Sequence, residues 1–209
     1  MSENIDIFII NSENRINRLC NIINILRDVN LSDKLCRIEA LNQADAKLNQ
    51  FSILSKKTYK NINSHKNICM ICNYSCLAYS MSHIKTWRYI VDKSITESFI
   101  ISDNIKILDK NLFKIELRDI YRIINKKKSK PLFLTINSIQ INNSQSNFYC
   151  YDNEYIEKIN EPFINLHFYY INIEMATYFL DSLNMLNFPI DIEIGLLSKK
   201  NRFGNKNFY

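Results

Sequence analysis

The sequence predicts an α/β domain in which a mixed sheet is flanked by helices on both faces, and three observations predict it. Short apolar runs ending in polar turns alternate with segments whose apolar residues recur at spacings of three and four. The 209-residue chain is 46% hydrophobic and 12% aromatic, which is enough to bury a sizeable core and argues against disorder. Neither a repeat nor a linker interrupts it, so a single domain spanning 1–209 is expected.

The opening strand is Ile5-Asp6-Ile7-Phe8-Ile9-Ile10, a mostly apolar run closed by the polar turn Asn11-Ser12-Glu13-Asn14. A helix follows, because Ile16, Leu19, Cys20, Ile23 and Leu26 fall on one face. Arg37 to Leu41 reads as a second strand. From Asn42 to Asn67 the pattern is polar and weak, so at most a short helix is expected there, within loop. Leu77, Met81, Ile84, Trp87 and Val91 mark an amphipathic helix, and Phe99-Ile100-Ile101 the next buried strand. Leu112 to Ile124 reads as helix, and Pro131 to Ile136 as a strand entered through proline. Asn137 to Asn160 is rich in Asn and Ser, and reads as loop with a hairpin strand near Phe148-Tyr149. Phe163 to Ile171 reads as strand, and Asn172 is placed to cap a helix carrying Met175, Ala176, Phe179 and Leu183. The tail from about Ser198, with Lys199, Lys200, Arg202 and Lys206, is basic and expected to be mobile.

Composition narrows the function classes. The net charge of +6 favours an anionic ligand without naming one. Phosphate loops and dinucleotide fingerprints need glycines for close backbone approach, and the only two glycines, Gly195 and Gly204, lie far from any suitable strand-to-helix turn. A nucleophile elbow is missing for the same reason. No apolar stretch is long enough to predict a membrane span, and Met1-Ser2-Glu3-Asn4 lacks the basic start of a secretory signal, so a cytoplasmic location is expected. The six cysteines are then expected as reduced thiols. His65, Cys69, Cys72 and Cys76 offer zinc-type ligands, yet on one continuous helix they would form a stripe about 16 Å long at ~1.5 Å per residue, too long to meet one ion. Thiols on a helix face pack as small hydrophobes, with zinc or a redox pair as the alternatives. Lys126-Lys127-Lys128-Ser129-Lys130 invites a nucleic-acid reading, but no aromatic-interleaved motif accompanies it and a solvated loop explains it as well. Nucleic acid is not expected as a partner.

Two segments about twenty residues apart are more specific. Ser80-Met81-Ser82-His83-Ile84-Lys85-Thr86-Trp87 places His83 and Trp87 one helical turn apart, and Ser98 to Ile101 leads into the turn Ser102-Asp103-Asn104, where ligands collect beyond strand ends. Together they resemble glycosyltransferase family 25, the lipopolysaccharide- and collagen-modifying galactosyl- and glucosyltransferases, in which a Ser-His-x-x-x-Trp helix precedes a strand ending Glu-Asp-Asp. Here the acidic trio reads Ser102-Asp103-Asn104. Arg15 and Arg18 after the first strand resemble the family's Arg-x-x-Arg helix start. Ala78-Tyr79 stands where the family has Gly-Cys. Tyr169-Tyr170-Ile171, Ala176 and Pro189-Ile190-Asp191 resemble its later strand, helix and Pro-x-Asp turn. The matched elements span roughly residues 5 to 195 in the family's order.

The resemblance implies a GT-A-like fold that transfers a hexose, galactose or glucose, from a UDP-sugar to a hydroxyl of a glycan or protein, with inversion. It implies Mn²⁺ or Mg²⁺ held by carboxylates, with Asp103 contacting the metal or the ribose and Asp191 binding the acceptor or taking its proton. Arg15, Arg18, His83, Ser102 and Asn104 join them as donor-side candidates. Because Ser102 and Asn104 offer neutral oxygens, the metal would be held more loosely than by three acids. Other readings stand beside these: Arg15 and Arg18 as a solvated face, His83 and Trp87 as core, Asp103 as a turn residue, and the chain as a catalytically degenerate member serving as a binding or structural module.

Overall fold

The apolar runs of the sequence become the strands of one mixed sheet, and the periodic segments its two covering layers. The computed structural model describes residues 5–31, 34–64, 71, 73–107, 109–127, 131–135, 139–140, 148–151, 154–157, 163–164, 166–199 and 207–208. In chain order they form β1 (Asp6–Asn11), α1 (Ile16–Asp28), β2 (Leu35–Glu39), α2 (Gln43–Ile53), α3 (Lys56–Ser64), α4 (Tyr74–Asp92), β3 (Glu97–Ser102), α5 (Lys110–Lys127) and β4 (Leu132–Thr135). Then follow β5 (Ile139–Gln140), β6 (Phe148–Tyr151), β7 (Glu154–Glu157), β8 (Phe163–Ile164), β9 (Phe168–Asn172), α6 (Ile173–Ser182), α7 (Ile190–Lys199) and β10 (Asn207–Phe208).

The six-stranded sheet has the order β10-β4-β9-β3-β1-β2. Strands β2, β1 and β3 are parallel, β9 runs antiparallel to both β3 and β4, and β10 pairs in parallel with β4. Alternation along each strand sends its residues into two cores. Ile7, Ile9, Phe99, Ile101, Phe168 and Tyr170 pack with Ile22, Leu26, Leu117 and Ile124 of α1 and α5. Phe8, Ile10, Ile100, Tyr169 and Ile171 pack on the other face with Trp87, Phe179 and Ile194 of α4, α6 and α7. After β1 the chain therefore turns to one face, through α1, and after β2 it crosses to the other, through α4, leaving a switch point beyond the carboxyl ends of β1 and β3. No helix among the described residues is long and apolar enough to cross a membrane.

The polar stretch from Asn42 holds two helices where one at most was expected. Helix α2 is set by a capping box, in which the Asn42 side chain accepts from Ala44 N and Asp45 N while the Asp45 carboxylate accepts from Asn42 N. Its periodicity is hidden because Leu48 and Phe51 are exposed. The expected strand over Phe163–Ile171 divides into β8 and β9, and its second half carries Asn172, which caps α6 as predicted by accepting from Met175 N. Pro189-Ile190-Asp191 opens α7 instead of making a turn, because the Glu193 carboxylate accepts from the backbone N–H groups of Asn187 and Phe188 just ahead of it. That helix runs past Ser198 to Lys199, and Asn207–Phe208 adds an edge strand, so the tail is partly ordered; Lys200, Arg202 and Lys206 lie outside the described residues. The hairpin near Phe148 is present as β6 paired with β7, with most of Asn137–Asn160 outside the described residues. His65, Cys69 and Cys72 lie outside them too, and Cys76 stands in the first turn of α4, behind an extended cap at Asn73. Cys20 and Cys36 are free thiols.

Helix α4 is the strut of the second layer, and its motif residues are fasteners. Ser80 Oγ accepts from Ile190 N at 3.2 Å at the start of α7, and Ser82 Oγ accepts from Leu41 N at 2.9 Å at the exit of β2. Each hydroxyl donates back to its own helix, at Cys76 O and Ala78 O. His83 Nδ1 and Trp87 Nε1 both meet the Tyr169 hydroxyl on β9, at 2.9 and 3.0 Å. Tyr169→Phe leaves both ring nitrogens without this partner in a dry core, and is expected to cost about 2–4 kcal/mol in urea unfolding, since each orphaned buried group costs about 1–3.

Candidate active site

Asn11, the last residue of β1, is fully buried, and a buried amide must find partners. It finds three. Its Nδ2 donates to Arg15 O at 3.0 Å and to Asp103 Oδ2 at 2.9 Å, and its Oδ1 accepts from Arg37 Nε at 3.0 Å. The pleat explains the grouping: Asn11 and Arg37 continue the alternation of Ile9 and Leu35 toward the α1 face, and Asp103 follows Phe99 and Ile101 there from β3. Arg18, one turn into α1, places Nη1 3.9 Å from Asp103 Oδ1, with its side chain 49% exposed against 9% for the aspartate. At that exposure the pair is weak, and most of the Arg18 guanidinium fork stays open to solvent. Arg15 and Arg37 are exposed as well. Helix α1 starts at this edge with no side-chain cap and no acid in its first turn, so its N-terminal dipole adds to the positive charge.

A second polar group lies on the α4 side of the same edge. Ser102 pairs in register with Ile10, facing away from Asn11, and its hydroxyl is buried without a partner among the described residues. Its backbone N donates to His167 O at 2.8 Å, so the loop entering β9 lies against the Ser102-Asp103 turn. Tyr79 of α4 donates to Leu166 O at 2.9 Å and sets its ring edge-on to both His83 and His167. Asp191, in the first turn of α7, is 8% exposed and accepts from Ile192 N at 2.9 Å. Its charge reaches this group. Burial and then Asp191 push the Tyr79 hydroxyl far above its ordinary range, while burial lowers the His167 pKa against an opposing pull from Asp191.

The structure thus joins the Arg15 backbone and the Asp103 carboxylate through Asn11, places Arg18 against Asp103, and sets Asp191 in an adjoining group linked to them by His167. Asn104 is exposed in the turn beside Asp103, whereas Ser102 is sealed on the opposite face. His83 has no exposed surface and belongs to the core fastening of α4. Asn11, Arg37, Tyr79 and His167 were not singled out from the sequence. Asn11 was the most accessible of them, being the first polar residue after the β1 run and hence at the strand's carboxyl end. A cavity of about 350 Å³ lies elsewhere, among Ser52, Met81, Ile84, Arg88 and Leu183, and no residue of either polar group lines it.

A family model for glycosyltransferase family 25, described as LPS biosynthesis protein, matches residues 4–194. The chain belongs to glycosyltransferase family 25. Curated proteins give no match to it. Family 25 membership supports glycosyltransferase activity, with a sugar donor and an acceptor as its ligands. The divalent cation that the family implies finds a poor donor set here. Asp103 is the one acid of the trio, Asn11 and Arg18 stand against its two oxygens, and Ser102 faces the other way. Among the described residues no three His, Cys, Asp or Glu side chains converge to hold a metal ion.

His83 gives this family 25 protein an acid limit. Burial, and then His167, lower its pKa from 6.5 to about 3. The unfolded chain takes up a proton over the interval in which the folded chain refuses it, so stability is complete above the ordinary histidine pKa and falls as pH drops toward the folded value. The expected slope is about 1.4 kcal/mol per pH unit below about pH 6.5, with a further contribution of the same sign from His167. Urea midpoints measured from neutral pH downward check this, and His83→Gln should flatten the profile without abolishing it.

Proposed function

We propose that this family 25 protein transfers a hexose, galactose or glucose, from a UDP-sugar to a hydroxyl of a glycan or protein, with inversion. The observation that carries the reading is the Asn11-centred cluster of the Arg15 backbone and the Arg37 and Asp103 side chains, with Arg18 facing Asp103, at the switch point of the sheet, in a chain matched to the family over most of its length. In the reaction the acceptor oxygen attacks the anomeric carbon. The bond from that carbon to the diphosphate breaks, its electron pair leaves on the phosphate oxygen, and the acceptor proton passes to a base. The arginines suit the departing negative charge, because planar guanidinium groups meet phosphate oxygens two at a time. Asp191 suits the base: it is a mostly buried carboxylate beside Tyr79 and His167, on the opposite side of the edge from the arginines.

Replacement of two acids of the trio by Ser102 and Asn104 favours one alternative, a degenerate member that binds the nucleotide without turning it over. Donor hydrolysis and transfer across a panel of UDP-sugars separates the two. The expected outcome is turnover by the native protein, with Asp191→Asn lowering kcat by about 10²–10⁴ while donor affinity stays within about twofold. Donor binding without turnover by the native protein establishes the degenerate reading, and turnover untouched by Asp191→Asn removes that residue as the base.

A further inference from the structure

The positive edge around Asn11 carries a consequence for the metal that enzymes of this kind are expected to use. A dication is held where carboxylates converge and leave oxygens free. At this edge the reverse arrangement is built. Two guanidinium groups flank the carboxylate of Asp103 and its partner Asn11, Arg37 through Asn11 Oδ1 and Arg18 directly, and each oxygen of the carboxylate already has a neighbour, one accepting from Asn11 Nδ2 at 2.9 Å and one facing Arg18 Nη1 at 3.9 Å. A cation here would have to displace Arg18 and sit among like charges. A diphosphate would not.

We propose that this protein binds the diphosphate of its donor without a divalent cation, the guanidinium groups of Arg18 and Arg37 supplying the compensating charge. Asp103 then acts as a positioning residue that holds Arg18, and Asn11 as the hub that holds Arg37 by its Nε, leaving the Nη nitrogens of that fork to the phosphates. The start of α1, without a side-chain cap or an acid in its first turn, lies at the same edge, and its dipole reinforces the charge. The inference rests on the reading of the chain as a nucleotide-sugar enzyme, and its test separates the two.

UDP and UDP-galactose are titrated calorimetrically into the full chain, first in EDTA and then with Mn²⁺ or Mg²⁺ in excess. The expected result is binding in EDTA with Kd changed less than about threefold by either metal, and Kd raised about tenfold or more in EDTA by Arg18→Ala and by Arg37→Ala, as loss of a charge-assisted hydrogen bond predicts. Arg18→Lys, which keeps the charge but loses the fork, should recover only part of the loss. Binding that appears only with metal, or tightens more than about tenfold on adding it, overturns the inference and leaves the nucleotide-sugar reading standing. Binding in EDTA that both alanine variants retain at full strength overturns the assignment of the arginines. If neither nucleotide binds with or without metal, both the inference and the reading beneath it fall.

Discussion

The amide of Asn11 is the constraint on which the working edge of this protein depends. It ends β1, a strand buried at every residue but its first, and with no water to reach it, its hydrogen-bonding capacity has to be met by protein. Meeting it draws together the backbone of Arg15, the side chain of Arg37 and the carboxylate of Asp103, which come from a loop, a neighbouring strand and a turn 92 residues further on. Because Asp103 in turn faces Arg18, one buried polar group orients most of the charge at the switch point. A hydrophobic residue at this position would satisfy the core and leave that charge unorganised.

The Ser-His-x-x-x-Trp helix has a different task. Every motif side chain fastens α4 to something else: Ser80 to the start of α7, Ser82 to the exit of β2, and His83 with Trp87 to Tyr169 of β9. The tyrosine hydroxyl can accept from the indole N–H and donate its proton to His83 Nδ1, an assignment that leaves Nε2 of the neutral ring as the one orphan of the three groups. Such a network fixes a unique packing of the layer that carries Tyr79 and of the helix that carries Asp191. The motif therefore shapes the site from within the core, which explains how it persists in a chain whose acidic trio does not.

The two polar groups have opposite electrical character. On the α1 face the side chains of Arg18 and Arg37 stand in water, ready for an anion. On the α4 face Asp191 is buried beside the half-buried Tyr79 and His167, and burial together with the Asp191 charge shifts the protonation of the tyrosine and the histidine. The Ser102-to-His167 backbone bond holds these groups back to back across β3. A transferase has two such needs, since charge accumulates on the leaving group while a proton leaves the acceptor, and a sheet edge with differently loaded faces keeps the two apart.

The α/β layering, the principal strands and helices, the Asn172 cap and the family are legible in the chain alone, because these follow from local periodicity, capping chemistry and the order of motifs. The sequence left α2 and α3 obscure, since helices with exposed Leu48 and Phe51 show no clean apolar stripe. It also singled out Asp103, Arg15 and Arg18 as neighbours of a site. The folded chain was needed to show that Asn11 gathers them together with Arg37, that Ser102 faces away, that His83 is core and that His167 links Asp191 to the turn. Those facts depend on which strands lie side by side and on which face of the pleat each residue occupies, and long-range pairing of this kind leaves no trace in the local pattern of a single chain.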